Sequence, residues 1–104
     1  MANGCDTLQA PAGDEPAGVV LPRALLITDV RSCAEGLRAA VARGGVTVDA
    51  SRLADIDTAG LQLLCATRAT ALASGKAFRW SADSAGLRAA AAATGLGAAL
   101  GLDP

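Results

Sequence analysis

The 104-residue chain contains no histidine and no tyrosine, and its aromatic complement is one phenylalanine and one tryptophan. Without histidine it lacks the usual general base near neutral pH, the commonest metal ligand and every Ser-His or Cys-His catalytic pair. Hydrolase chemistry of that type and histidine-ligated zinc are therefore excluded. Basic residues are not in excess either: nine Lys and Arg face ten Asp and Glu, for a formal net charge of −1. Such a balance offers no basic stripe to neutralise phosphates, so nucleic acid is not an expected partner. No apolar run reaches the ~18 residues that span a bilayer. No charged segment followed by an apolar core opens the sequence, so neither membrane insertion nor a signal peptide is expected.

Cysteine is scarce as well. Cys5, Cys33 and Cys65 are odd in number, widely spaced and without a CxxC pair. That usage fits free thiols acting as small apolar residues in a reducing compartment, and a soluble cytoplasmic protein is expected. What the chain has in quantity is aliphatic: hydrophobic residues make up 52% and aromatics 2%, so the core must be built from Leu, Val, Ile and Ala. The length fits one domain.

Residues 1–17 are rich in Gly, Pro, Asp, Asn and Ala and follow neither a strand nor a helix period, which reads as a poorly ordered tail before a domain at 18–104. Val19–Leu21 and Ala24–Thr28 read as two short strands, or as one interrupted at Pro22, at or near a sheet edge where a missing N–H is tolerated. From Asp29 to Arg43, Val30, Cys33, Ala34, Leu37 and Val41 recur at helical spacing, and Gly44-Gly45 ends the pattern. Val46-Thr47-Val48 fits a central strand covered on both faces. A second helix is expected from Thr58 to Ser74 with Leu61, Leu64, Cys65, Ala69 and Leu72 inward. A strand follows over Ala77–Ser81, with Trp80 in or near the core and its indole N–H seeking an acceptor. A third helix, capped by Asp83 or Ser84, runs to Thr94, and a short apolar turn or helix ends the chain. Alternating strands and helices imply an α/β fold: a small, mostly parallel, mixed sheet with right-handed crossovers and helices packed against it. No glycine-rich phosphate loop follows any strand, so a nucleotide-binding version is not supported.

The most informative stretch is Asp57-Thr58-Ala59-Gly60-Leu61, where a polar turn opens onto the second helix. It puts a hydroxyl at a helix N-terminus, where free N–H groups and the helix dipole favour an anion. Capping alone would explain Asp57 or Thr58, at about 1 kcal/mol. Glycine in the first turn is harder to explain, because it costs about 1 kcal/mol relative to alanine. It suggests a backbone that something must approach closely, such as a docking partner. A phosphate on Thr58 would add about −1.5 to −2 charges beside Asp55 and Asp57 and repel a partner there without unfolding the domain. Asp49, Asp55 and Asp57 together raise magnesium as a ligand, but Asp in turns ordinarily bonds its own backbone, and no metal is assigned. No nucleophile–base constellation is present, so no enzymatic activity and no cofactor are expected.

The strand ending near Asp49, the Asp57-Thr58-Ala59-Gly60-Leu61 turn onto a helix, and the distal Thr94-Gly95-Leu96 strongly resemble the STAS domain over about residues 18–102. That family takes its name from sulfate transporters and anti-sigma factor antagonists. The resemblance implies the STAS fold and a bacterial, non-enzymatic signalling module that binds another protein. In the antagonists, the hydroxyl residue directly after the motif's Asp is phosphorylated by a partner serine/threonine kinase that doubles as the anti-sigma factor, and Thr58 holds that position. By the same resemblance Asp57, Thr58, Ala59, Gly60, Gln62 and Leu63 would form the partner surface. The Gly-Glu-Leu-Asp pattern of the antagonists before the first helix is replaced by Arg23-Ala24-Leu25-Leu26. Threonine in place of serine is similar to the small STAS subunit of a phospholipid-transport ABC system. The Leu61–Leu64 segment is similar to single-domain STAS proteins of bacterial chemotaxis.

Overall fold

The computed structural model describes residues 6–7 and 17–102. Two sheets organise them. The larger takes β1 (Asp6–Thr7), β2 (Ala17–Val20), β4 (Gly45–Asp49) and β6 (Ala77–Ala82) in the order β1-β2-β4-β6; the smaller pairs β3 (Ala24–Leu25) with β5 (Asp55–Ile56). β1 lies antiparallel to β2, and the pairs β2–β4, β4–β6 and β3–β5 are parallel. The helices are α1 (Val30–Arg43), α2 (Thr58–Ala73), α3 (Ala85–Thr94) and α4 (Gly97–Leu100). α1 packs on β2 and β4, α2 on α1 and β6, and α4 against α2 and α3. This is the mixed α/β architecture expected from the alternation of elements.

Several elements differ from the sequence reading in instructive ways. Asp6–Thr7 and Ala17, inside the expected tail, are paired strand residues; the rest of that stretch lies outside the described residues. The segments on either side of Pro22 are two strands in different sheets. β2 is interior, flanked by β1 and β4, so Pro22 is tolerated because it falls after the strand and not because the strand is an edge. β4 is central as expected, with Val46 and Val48 fully buried. Gly45 enters it at φ +123°, and a side chain there would collide with the Ala77 backbone across the β4–β6 pair.

The core is aliphatic throughout. Leu21, Leu25, Leu37, Leu64, Leu87 and Leu100 have no exposed surface, alongside Val19, Val46 and Val48. On α2 the inward residues are Gly60, Leu61, Leu64, Thr67 and Ala71. Leu61 and Leu64 match the expected face, but Ala69 is exposed, Leu72 is 51% exposed and Cys65 is half-buried. The helix is apolar nearly all round, so periodicity alone could not choose between faces. Thr67 is tolerated inside because its hydroxyl donates to the Leu63 carbonyl at 2.8 Å. Trp80 lies against Phe78 edge-on at 5.5 Å, and its indole N–H donates to the Leu100 carbonyl at 2.8 Å, anchoring α4. Ser84, not Asp83, caps α3 by accepting from the Leu87 N–H; Asp83 instead pairs with Arg88.

The cysteines need one correction. Cys33 is fully buried on α1, as its apolar spacing suggests, but it is disulfide-bonded rather than a free thiol. Cys65 carries a free thiol, and burial pushes its pKa up, which lowers its thiolate fraction and reactivity at neutral pH.

Candidate functional site

The start of α2 is placed by a strand the sequence reading missed. Asp55 and Ile56, just ahead of the second helix, pair with Ala24 and Leu25 as β5. This pairing carries the chain into α2 directly beside the loop that leaves β3. Asp57 then joins the two segments. One carboxylate oxygen accepts the Gly60 N–H at 3.0 Å as the helix cap; the other accepts the Ile27 N–H at 2.9 Å across a separation of thirty residues. The facing loop is closed by Asp29, whose carboxylate accepts the Leu26 N–H at 3.1 Å while its own N–H donates to the Leu26 carbonyl at 2.7 Å. Two short loops are thereby held as one surface.

The two amide hydrogen bonds, from Gly60 first and then Ile27, hold the Asp57 carboxyl below the ordinary carboxylate range. A depressed carboxylate pKa stabilises the fold fully above the unfolded-state value, about 3.9, and the contribution disappears as pH falls through the lower folded-state value. Thermal melts between about pH 2 and 6 should therefore show Asp57→Asn narrowing the loss of stability on the acid side. An unchanged acid limb in that variant would show that the tie does not persist in solution.

Thr58 follows as the first residue of α2 and is exposed. Its hydroxyl is not the capping group, since the Asp57 carboxylate takes that part. Gln62, one turn further, is also exposed, and Ala59 and Leu63 are half-buried. Gly60 is different: it is buried, and an alanine methyl there would run into the Leu25 carbonyl oxygen and come within 2.8 Å of Ile56 Cγ1. The close backbone approach inferred from this glycine is real, but what approaches is β3 of the same chain. Gly60 therefore supports the surface from beneath. Asp49 lies apart from this turn in its role, accepting the Ser51 N–H at 2.9 Å, and Ser51 holds its pKa down. Among the described residues no three Asp, Glu or Cys side chains gather as a metal cluster.

The sequence reading also missed Ile27, which is 71% exposed beside the Asp57 tie. Its neighbour in sequence, the Thr28-Asp29 pair, is the kind of turn chemistry that would have marked this loop. Ile27 lines a shallow hollow along α1 with Val30, Ala34 and Arg38. A separate groove of about 360 Å³ lies further along, between α1 and α2, lined by Ala34, Val41, Leu63 and Ala66, with Arg38 and Lys76 among its polar residues. The start of α2 thus presents an exposed Thr58 beside an exposed Ile27.

The element order and the Asp57-capped loop–helix junction are those of a small mixed α/β domain. A family model described as "Mlab, STAS domain" matches residues 9–102, and the chain belongs to the STAS family. The match opens at residue 9, within the stretch expected to be a tail. No curated protein matches the chain. STAS domains are in general non-enzymatic regulatory modules that mediate protein–protein interaction. None of the helices among the described residues is long and apolar enough to cross a membrane.

Proposed function

We propose that this protein is a switchable docking module of the anti-sigma factor antagonist type, in which a partner kinase phosphorylates Thr58 and so releases itself. The observation that carries the reading is the separation of tasks at the start of α2. Asp57 holds the cap and the interloop tie, which leaves the neighbouring Thr58 hydroxyl exposed and without a structural duty. A phosphoryl group there changes the surface and spares the fold. Asp57 already occupies the Gly60 amide, so the added charge faces outward and meets the partner. The proposed contact surface consists of Asp57, Thr58, Ala59, Gln62 and Leu63, supported by Gly60 and extended by Ile27. No catalytic residue is assigned.

A second reading is a constitutive STAS subunit of a phospholipid-transport ABC system, favoured by threonine in the switch position; Arg23-Ala24-Leu25-Leu26 before α1 departs from the antagonist pattern. The two separate in one experiment. Tagged protein is recovered from its own cells, and wild type, Thr58→Ala and Thr58→Glu are compared for bound partners and for phosphate on the Thr58 peptide. The switch predicts a kinase-like partner retained by Thr58→Ala and lost at least tenfold by Thr58→Glu. Thermal stability should stay within about 1 kcal/mol, as for a change at a helix start. Equal recovery of the partner by both variants sinks the switch, and a stoichiometric transporter ATPase indifferent to Thr58 establishes the second reading.

A further inference from the structure

The outer strand β6 carries a feature independent of Thr58. It pairs with β4 along one edge, and no strand among the described residues covers the other. Phe78, Arg79, Trp80, Ser81, Ala82 and Asp83 all line a single open trough of about 640 Å³. Side chains of consecutive strand residues point to opposite faces, so a trough that meets Phe78–Ala82 in a row, and Asp83 just past the strand, follows β6 along its uncovered edge. Edges of this kind are ready templates for another chain, and proteins guard them against self-pairing with proline or charged side chains, which here are arginines. The strand Ala77–Ala82 has no proline.

The trough is also charged with one dominant sign. Arg79 is exposed within it, Arg68 reaches it from α2, and Arg88 stands beside its ion-pair partner Asp83. Three arginines against one aspartate contrast with a chain whose formal net charge is −1. A second copy of this chain is disfavoured as occupant, because edge-to-edge pairing would bring two sets of arginines together. We propose that the β6 edge receives an extended, acidic segment of a partner protein, which adds a strand to the sheet. Main-chain hydrogen bonds would supply affinity, and the arginines would select acidic side chains. Six residues of strand extend about 20 Å, enough for a segment of five or six residues.

The test uses the full chain, isotope-labelled for amide NMR and hydrogen exchange, titrated with an end-capped hexapeptide of alternating glutamate and valine. The lysine–valine counterpart is the control. The expected result is shift changes and exchange protection concentrated in residues 77–83, with at least tenfold preference for the acidic peptide. Arg79→Glu should reverse the preference, Arg79→Lys should keep it, and Thr58→Glu should leave it unchanged. Arg79 is exposed, so unchanged far-UV dichroism is expected for both variants. Equal binding of the two peptides, no binding at millimolar peptide, or perturbation mapping to the α1–α2 groove overturns the proposal. Concentration-dependent dimerisation that protects β6 without peptide also overturns it, in favour of a second copy.

Discussion

Gly60→Ala is expected to destabilise the domain by about 2–3 kcal/mol, the upper part of the ~1–3 kcal/mol range for forcing extra carbon into a packed site. For a domain of this size that lowers Tm by roughly 8–24 °C. The added methyl meets the Leu25 carbonyl oxygen, which belongs to the β3–β5 pair and cannot swing aside like a side-chain tip, and then Ile56 Cγ1 at 2.8 Å. Relief requires α2 to move away from β3, which stretches the Asp57–Ile27 hydrogen bond as well. Gly97→Ala is the control: it sits in α4 with nothing within 4 Å, so the same chemical change should be neutral or stabilising by up to about 1 kcal/mol. Melting curves of the two variants decide the matter. A Gly60→Ala loss below about 1 kcal/mol would mean that α2 and β3 are not locked together and that Gly60 is free to face a partner.

The second large effect is expected at Leu64. It is fully buried on α2, and truncation to alanine should cost about 2–5 kcal/mol, combining lost burial with a cavity. The core gives little room for compensation, because it is built from aliphatic residues and the chain has only one phenylalanine and one tryptophan. Domains are stable by only about 5–15 kcal/mol, so the variant should unfold at a clearly lower urea midpoint with an unchanged slope. Leu63→Ala makes the informative comparison. Leu63 is half-buried and lines the α1–α2 groove, so its stability loss should be the smaller and its loss of partner binding the greater. If the two variants lose equal stability, Leu63 is a core residue and the groove ends short of it.

The legible parts of this molecule were those where a local signal and the fold agree. The Gly44 and Gly95 stops, a cap at Asp83 or Ser84 and the buried β-branched Val46 and Val48 are all dictated within a few residues of themselves. A cap at Asp57 or Thr58 was legible for the same reason, since an N-cap acts on an amide three residues away, and the structure gives the role to Asp57. The inward face of α2 was only half legible, because its apolar residues surround the helix and the choice between Thr67 and Leu72 depends on what packs against it. The disulfide state of Cys33 was not legible from spacing at all.

The sequence by itself determined the alternation of the helices with β4 and β6, the aliphatic core, the absence of histidine-based chemistry and the family-bearing turn at Asp57–Leu61. These follow from composition and from periods of two and 3.6 residues, which act locally. Only the tertiary structure decided that β3 and β5 form a separate small sheet, that Ile27 lies beside the α2 start, and that Gly60 serves an internal contact. Each of these is a meeting of segments thirty or more residues apart. A residue pattern records what a segment prefers, but which segments meet is settled by how the whole chain buries its apolar surface.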